Sequence, residues 1–171
     1  DLFISADLQQ IQTAEMAGLL EGESQRVTTN RLALAVRPGG PVNQLADLAN
    51  PGIRLVIAQP QVPAGTYTQG LFAALGKDAI YGPAWVEAAL ESVVSLEPNV
   101  RQVLAKLELG EVDAAVVYST DVAMATGGVF EVDIPEKHQE QVIYWATLLK
   151  RSDNPVGGRT LLEFLLTDLA Q

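Results

Sequence analysis

Residues 53–65, with the sequence IRLVIAQPQVPAG, decide the fold. The stretch opens with an almost wholly apolar segment, which is typical of a strand covered on both faces of a sheet. A turn with two prolines follows, and a helix is expected from about Ala64 to Leu75, ended by Gly76. A buried strand, a tight turn and a helix in this order are the repeating unit of α/β proteins.

The same alternation extends along the chain on both sides of this stretch. Further strands are predicted at residues 1–6, 31–36, 112–118, 130–134 and 141–149. Asp7 and Asn99 each precede a Gln by three residues, a spacing that predicts helix starts. Pro83 is expected to begin another helix, and an amphipathic helix is expected from Asn154 to at least Leu169. This alternation predicts an α/β protein with mostly parallel sheets.

The composition excludes several classes of function. Hydrophobic residues make up 48% of the 171 residues, so the chain can bury a core. The 11 Lys and Arg against 21 Asp and Glu give a net charge of −10, which argues against nucleic-acid binding. Without Cys and with His138 as the single His, thiolate chemistry and two-His metal sites are ruled out. No apolar run reaches the roughly 18 residues that a membrane span needs.

Among enzymatic reactions, acid–base catalysis is the one for which the chain contains suitable side chains. The acidic candidates are Glu87, Glu91, Glu97 and Asp121. No spacing places two of them in one pocket together with a nucleophile, so they are expected to lie on solvated helix faces. His138 belongs to a polar stretch and is expected to be an exposed loop residue. We therefore predict that the chain is not an enzyme.

The ends of the predicted strands are the places where a ligand would bind. In open α/β sheets, ligands lie outside the carboxyl ends of strands, where the N–H groups of helix N-termini can hold an anion. The small residues Ala64 and Gly65 would allow an anion to approach the backbone, and the Tyr118 hydroxyl could donate one more hydrogen bond. By itself the pattern favours capped helices that face water, with Tyr118 as an aromatic residue that closes the core.

Several segments are similar in amino-acid sequence to the periplasmic molybdate-binding proteins of ABC transporters. They are residues 62–67 (VPAGTY), 99–104 (NVRQVL) and 115–121 (AVVYSTD), together with residues 1–7 (DLFISAD) and the late Asn154-Pro155 pattern. The resemblance covers essentially the whole chain. It implies a type II periplasmic binding protein, in which two α/β lobes with parallel-rich sheets are joined by crossing strands and hold a tetrahedral oxyanion.

The resemblance also implies a ligand set and partners. Ala64 and Val100 would give backbone N–H groups and Tyr118 its hydroxyl to molybdate or tungstate, which is contacted through its oxygens with no cofactor and no direct metal ligand. Arg101 is expected to lie on the helix surface rather than to act as a counter-charge. The implied partners are the oxyanion and a membrane permease, and the implied location is the periplasm, for an exported chain without its signal peptide.

One departure from the family concerns the start of the chain. The family's serine ligands precede the motif that here begins at Asp1, and Ser5 belongs to a different motif. The sequence therefore predicts an incomplete first lobe at residues 1–36 and 146–171, a second lobe at 37–145, and self-association through exposed strand edges. Residues 79–94 are longer than the family pattern suggests. A non-transporting interaction module and an oxyanion sensor on the same fold stay open as alternatives.

Overall fold

The computed structural model describes residues 1–167, so the predicted helical residue Leu169 lies outside the described part of the chain. In chain order the elements are β1 (Leu2–Ser5), α1 (Leu8–Met16), β2 (Leu20–Asn30), β3 (Leu32–Val36), β4 (Leu55–Ala58), α2 (Pro63–Leu75), α3 (Gly82–Glu91), β5 (Val93–Glu97), α4 (Val100–Glu108), β6 (Ala114–Tyr118), α5 (Ser119–Met124), β7 (Phe130–Val132), β8 (Val142–Leu149) and α6 (Pro155–Leu165). Short 3-10 helices cover Leu45–Ala49 and Glu136–His138. Within residues 1–167, none of the helices combines the length and the apolar character that crossing a membrane requires.

The chain forms two compact units, each with its own sheet. The smaller unit contains Asp1–Asn30 and the segment from Gln141 onward, and the larger unit is Arg31–Glu140. The sequence analysis drew the boundaries at 36/37 and 145/146 instead. The observed boundaries fall earlier in the chain, because β3 pairs with strands of the larger unit, whereas the whole of β8 pairs with strands of the smaller one. The expectation that the smaller lobe is incomplete stays a prediction, as does self-association.

The sheet of the smaller unit has the strand order β1-β8-β2. β8 is antiparallel to both neighbours, so β1 and β2 run in the same direction, and α1 connects them. Asp7 begins α1 as predicted, because its Oδ1 accepts a hydrogen bond from the Gln10 N–H at 2.9 Å. One buried core cluster of this unit brings strand residues together with one residue of α6, and consists of Val27, Ala146, Leu148 and Leu162.

The sheet of the larger unit has the strand order β5-β4-β6-β3-β7. β4 is parallel to both β5 and β6, whereas β3 is antiparallel to both β6 and β7. Every residue of β3, β4 and β6 is buried, as their apolar sequences predict for strands covered on both faces. The predicted α/β class with two sheets is confirmed.

The direction of β3 and β8 corrects the prediction of mostly parallel sheets. Both strands run antiparallel to their neighbours. β3 follows β2 of the other sheet after a single residue, and the chain reaches β8 from the larger unit. Neither strand is therefore reached from its own sheet through a crossover helix. Parallel neighbours require such a crossover connection, and a strand that enters a sheet without one is free to pair antiparallel.

The sequence analysis did not predict two of the strands, β2 and β5. β2 has the sequence LEGESQRVTTN, and only Leu20 and Val27 in it are buried. β5 is an outer strand whose Val94 and Leu96 are exposed. The predicted helix in the long stretch 79–94 is present as α3, which begins at Gly82, and Trp85 in it donates from Nε1 to the Ala46 carbonyl at 3.0 Å.

Candidate oxyanion site

Three strand–helix junctions lie side by side at one edge of the larger sheet. β5, β4 and β6 are adjacent and parallel, so their carboxyl ends meet at this edge. α2 follows β4, α4 follows β5 and α5 follows β6. Because backbone N–H groups project from a helix N-terminus, donors from neighbouring helices are gathered where the strands end.

The start of α2 leaves two N–H groups ahead of its first intrahelical hydrogen bond. Val62 is the N-cap and makes no side-chain cap, and Pro63 is the first helical residue and has no N–H to offer. The Thr66 N–H donates to the Val62 carbonyl at 3.0 Å. The N–H groups of Ala64 and Gly65 therefore come before the helical ladder. The helix itself begins at Pro63, one residue earlier than the sequence predicts.

Gly65 is required by the close packing of this turn. A Cβ at position 65 would lie 1.9 Å from the Gln59 carbonyl oxygen and 2.9 Å from the Ala58 carbonyl oxygen. The turn is closed by the Val62 N–H, which donates to Gln59 at 3.1 Å. The end of β4 thus sits directly against the first turn of α2, and any side chain at position 65 would push the two apart.

The start of α4 is capped in a way that also spares two N–H groups. The Asn99 Oδ1 accepts a hydrogen bond from the Gln102 N–H at 3.0 Å, as the capping pattern predicted, and the Asn99 carbonyl accepts from Val103 at 3.3 Å. Val100 and Arg101 lie between the cap and these bonds. Val100 is half-buried and Arg101 is exposed, as expected for a surface arginine.

Tyr118 is the last residue of β6 and is buried, with 6% of its surface exposed. Its backbone N–H donates to the Asp121 Oδ2 at 3.0 Å. Burial raises the pKa of the Asp121 carboxyl, while the hydrogen bond from Tyr118 and the positive charge of Arg101 act in the opposite direction.

The acidic residues considered as catalysts lie in different surroundings. Glu87 and Glu91 are exposed on α3, whereas Glu97 is buried at the end of β5. The Glu97 Oε1 accepts from the Ser95 hydroxyl at 2.5 Å and lies 2.9 Å from the Lys106 Nζ. These two contacts lower the pKa of Glu97, which makes it a structural carboxylate. Residues 1–167 also contain no cluster of three metal-ligating side chains.

The pairing of Glu97 with Lys106 predicts a pH-dependent stability. Lys106→Met is expected to lower the free energy of unfolding at pH 7 by about 1 kcal/mol, because a buried carboxylate loses its cation. Since the folded-state pKa of Glu97 is lowered, the stabilisation is present above the ordinary carboxyl pKa and is lost as the pH falls through the folded value. Urea denaturation at pH 7 and near pH 3 measures both effects. Lys77→Met, on an exposed lysine, is the control, and an equal deficit at both pH values would contradict the prediction.

His138 corrects the sequence analysis, which expected an exposed loop residue. It ends a 3-10 helix and only 7% of its surface is exposed. Its ring meets that of Tyr81 edge-on at 6.0 Å, and its Nε2 lies 3.2 Å from the Asp78 Oδ2, which also binds the Lys137 Nζ at 2.7 Å. The polar sequence around His138 does not predict this burial, because the polar partner of His138, Asp78, comes from a distant part of the chain.

Asp121 is the residue of this site whose role the sequence analysis missed. It was considered only as a general acid or base, although it follows Tyr118 by three residues, the spacing of a capping box. That spacing was the signal for its hydrogen bond to the Tyr118 N–H. Topology brings Ala64, Val100 and Tyr118 to the same sheet edge, and their role as ligands stays a proposal.

Comparison with known proteins gives relatives that bind oxyanions. The chain is 32% identical over 161 residues, 93% of its length, to the molybdate-binding protein ModA of Mycobacterium tuberculosis, and the same holds for Mycobacterium bovis. The aligned part spans 57% of these relatives' own length. The chain therefore corresponds to a little over half of the proteins it resembles in sequence.

Solved structures of the same fold include proteins with different ligands. The periplasmic molybdate-binding protein of Azotobacter vinelandii matches with a TM-score of 0.80 at 21% identity, covering 99% of this chain and 73% of that one. The sulfate-binding protein SubI of Mycobacterium tuberculosis matches with a TM-score of 0.77 at 19% identity, covering 100% and 65%. The sequence of this chain also matches the bacterial extracellular solute-binding protein family over residues 1–171. The chain belongs to this family of bacterial extracellular solute-binding proteins, which are binding proteins rather than enzymes.

Proposed function

We propose that this chain is part of the solute-binding component of an ABC transporter and that its larger unit holds molybdate or tungstate. The donors would be the backbone N–H groups of Ala64 and Val100 and the hydroxyl of Tyr118. The observation that carries the proposal is that both N–H groups precede the hydrogen-bonded ladders of helices that follow neighbouring parallel strands. The identity of 32% to ModA supports molybdate as the solute.

Neutral donors suit this ligand. A hydrogen bond to a charged group contributes about 1.5–3 kcal/mol, so a few short contacts can outweigh the repulsion from a net charge of −10 that salt screens over about 8 Å. Hydrogen bonds weaken steeply when the donor and acceptor are too far apart. A site of fixed donors sized for molybdate would therefore bind the smaller sulfate less tightly.

The proposal extends to the location and the partner of the chain. A protein that collects an oxyanion for an ABC transporter acts outside the cytoplasmic membrane, here in the periplasm, and delivers the anion to the membrane permease. The family match and the named function of the relatives support this placement. No cofactor enters the proposal, because the anion is bound through its oxygens.

Isothermal titration of the 171-residue chain with molybdate, tungstate and sulfate tests the proposal. We expect saturable heat with molybdate and tungstate and at least tenfold weaker binding of sulfate. A folded sample that gives no heat with either larger anion would contradict the proposal and favour the interaction-module alternative. Equal affinity for all three anions would contradict the size selection.

Tyr118→Phe is expected to weaken molybdate binding by about tenfold, because it removes one donor to a charged ligand. Titration calorimetry of the variant measures the change, and thermal unfolding without ligand checks that the fold is intact. Tyr81→Phe makes the same chemical change at the start of α3, outside the proposed site, and is expected to bind as the parent chain does. Equal affinities for the two variants would exclude the Tyr118 hydroxyl as a ligand.

A further inference from the structure

The junction between β6 and α5 is held by hydrogen bonds to successive residues. The Asp121 Oδ2 accepts from the Tyr118 N–H at 3.0 Å, and the Arg31 carbonyl accepts from the Ser119 N–H at 3.0 Å. The Ser119 hydroxyl donates to the Glu131 Oε2 at 3.2 Å, and the other Glu131 oxygen forms an ion pair with Arg31. Asp121 adds a side-chain hydrogen bond to the backbone of Tyr118, which also pairs with Leu32 of β3 at the end of the ladder.

Asp121 also places a negative charge in the first turn of α5, next to a proposed ligand of a dianion. Burial raises the pKa of its carboxyl, so the folded chain resists ionising it. The charge that opposes this effect comes from Arg101 in the first turn of α4, directly after Val100. The other charged groups near this junction, Arg31 and Glu131, are paired with each other.

We propose that Asp121 is a positioning residue for oxyanion binding, which anchors Tyr118 through its backbone N–H. This inference rests on the proposed function of Tyr118. It assigns Asp121 two opposed effects, since its oxygen orders the ligand residue while its charge repels the ligand. An amide side chain at this position keeps the acceptor and removes the charge.

Two variants separate the two effects by molybdate titration. Asp121→Ala is expected to bind about tenfold more weakly, because the anchor is lost. Asp121→Asn is expected to bind at least as tightly as the parent chain, because its amide oxygen can accept the same N–H.

A matched control excludes a general effect of losing a cap. The Asp47 carboxylate accepts from the backbone N–H groups of Asn43 and Gln44 at 2.9 and 3.1 Å, elsewhere in the same unit. Asp47→Ala is expected to leave the affinity unchanged. Parental affinity in Asp121→Ala, or equally weak binding in Asp121→Asn and Asp121→Ala, would overturn the inference.

A measurement on the ligand-free chain distinguishes failure of this inference from failure of the proposed function. The amide proton shift of Tyr118, followed by NMR as a function of pH, is expected to titrate with the Asp121 carboxyl and to lose this titration in Asp121→Asn. If the parent chain binds no molybdate, the proposed function fails, and this titration still shows whether Asp121 anchors Tyr118. A Tyr118 amide that does not respond to pH would overturn the anchoring role whatever the chain binds.

Discussion

Replacing Val100 with proline is expected to weaken molybdate binding by about ten- to a hundredfold while leaving the fold intact. Val100 is the first residue of α4, the helix position at which proline is best tolerated. Asn99 before it is extended, with φ −161° and ψ 159°, close to the backbone that a residue preceding proline adopts. The substitution thus removes one N–H that the helix does not use and that the proposed site does.

Val100→Ala is the matched control, because it removes the same half-buried side chain and keeps the N–H. Titration calorimetry of both variants measures the affinity, and urea denaturation measures the stability. The alanine variant is expected to bind within a fewfold of the parent chain. Equal binding by the two variants at equal stability would show that the Val100 N–H is not a ligand. No equally clean variant exists for Ala64, because Pro63 before it is already helical and a helical residue is disfavoured before proline.

The features that the sequence predicted correctly are those encoded by neighbouring residues. The caps at Asp7 and Asn99 depend on a side chain and an N–H three residues later, and both hydrogen bonds are present. The buried strands β3, β4 and β6 follow from unbroken apolar runs. Because the strand–helix junctions are local features of this kind, the position of the candidate site along the chain was predictable from the sequence.

The features that the sequence did not predict depend on distant partners. β2 is a strand because it pairs with β8, although its own residues are mostly polar. His138 is buried because Asp78 and Tyr81 surround it, and neither is near it in sequence. The reversed direction of β3 likewise depends on which strands lie beside it. Periodicity describes which face of an element is buried, and it cannot identify the element that covers that face.

Gly65→Ala is expected to lower the free energy of unfolding by about 1–3 kcal/mol or more, the range for overpacked positions. The added methyl group would lie 1.9 Å from the Gln59 carbonyl oxygen and 2.6 Å from its carbonyl carbon. Both are backbone atoms of the turn that follows β4, so no side-chain rotation can relieve the overlap. The first turn of α2 would have to move away from the strand end and take the N–H of Ala64 with it.

Gly70→Ala in the same helix is the control for this prediction. A Cβ at position 70 has ordinary contacts, the nearest at 4.0 Å to the Glu140 side chain. Alanine there is expected to leave the chain unchanged or to stabilise it by about 0.4–1 kcal/mol, since it restricts the unfolded chain and favours the helix. Urea denaturation of both variants gives the two stabilities, and titration with molybdate shows whether the affinity falls with Gly65→Ala alone. If both substitutions stabilise the chain equally, the tight junction between β4 and α2 is absent in solution, and with it the fixed position that the proposed site requires of Ala64.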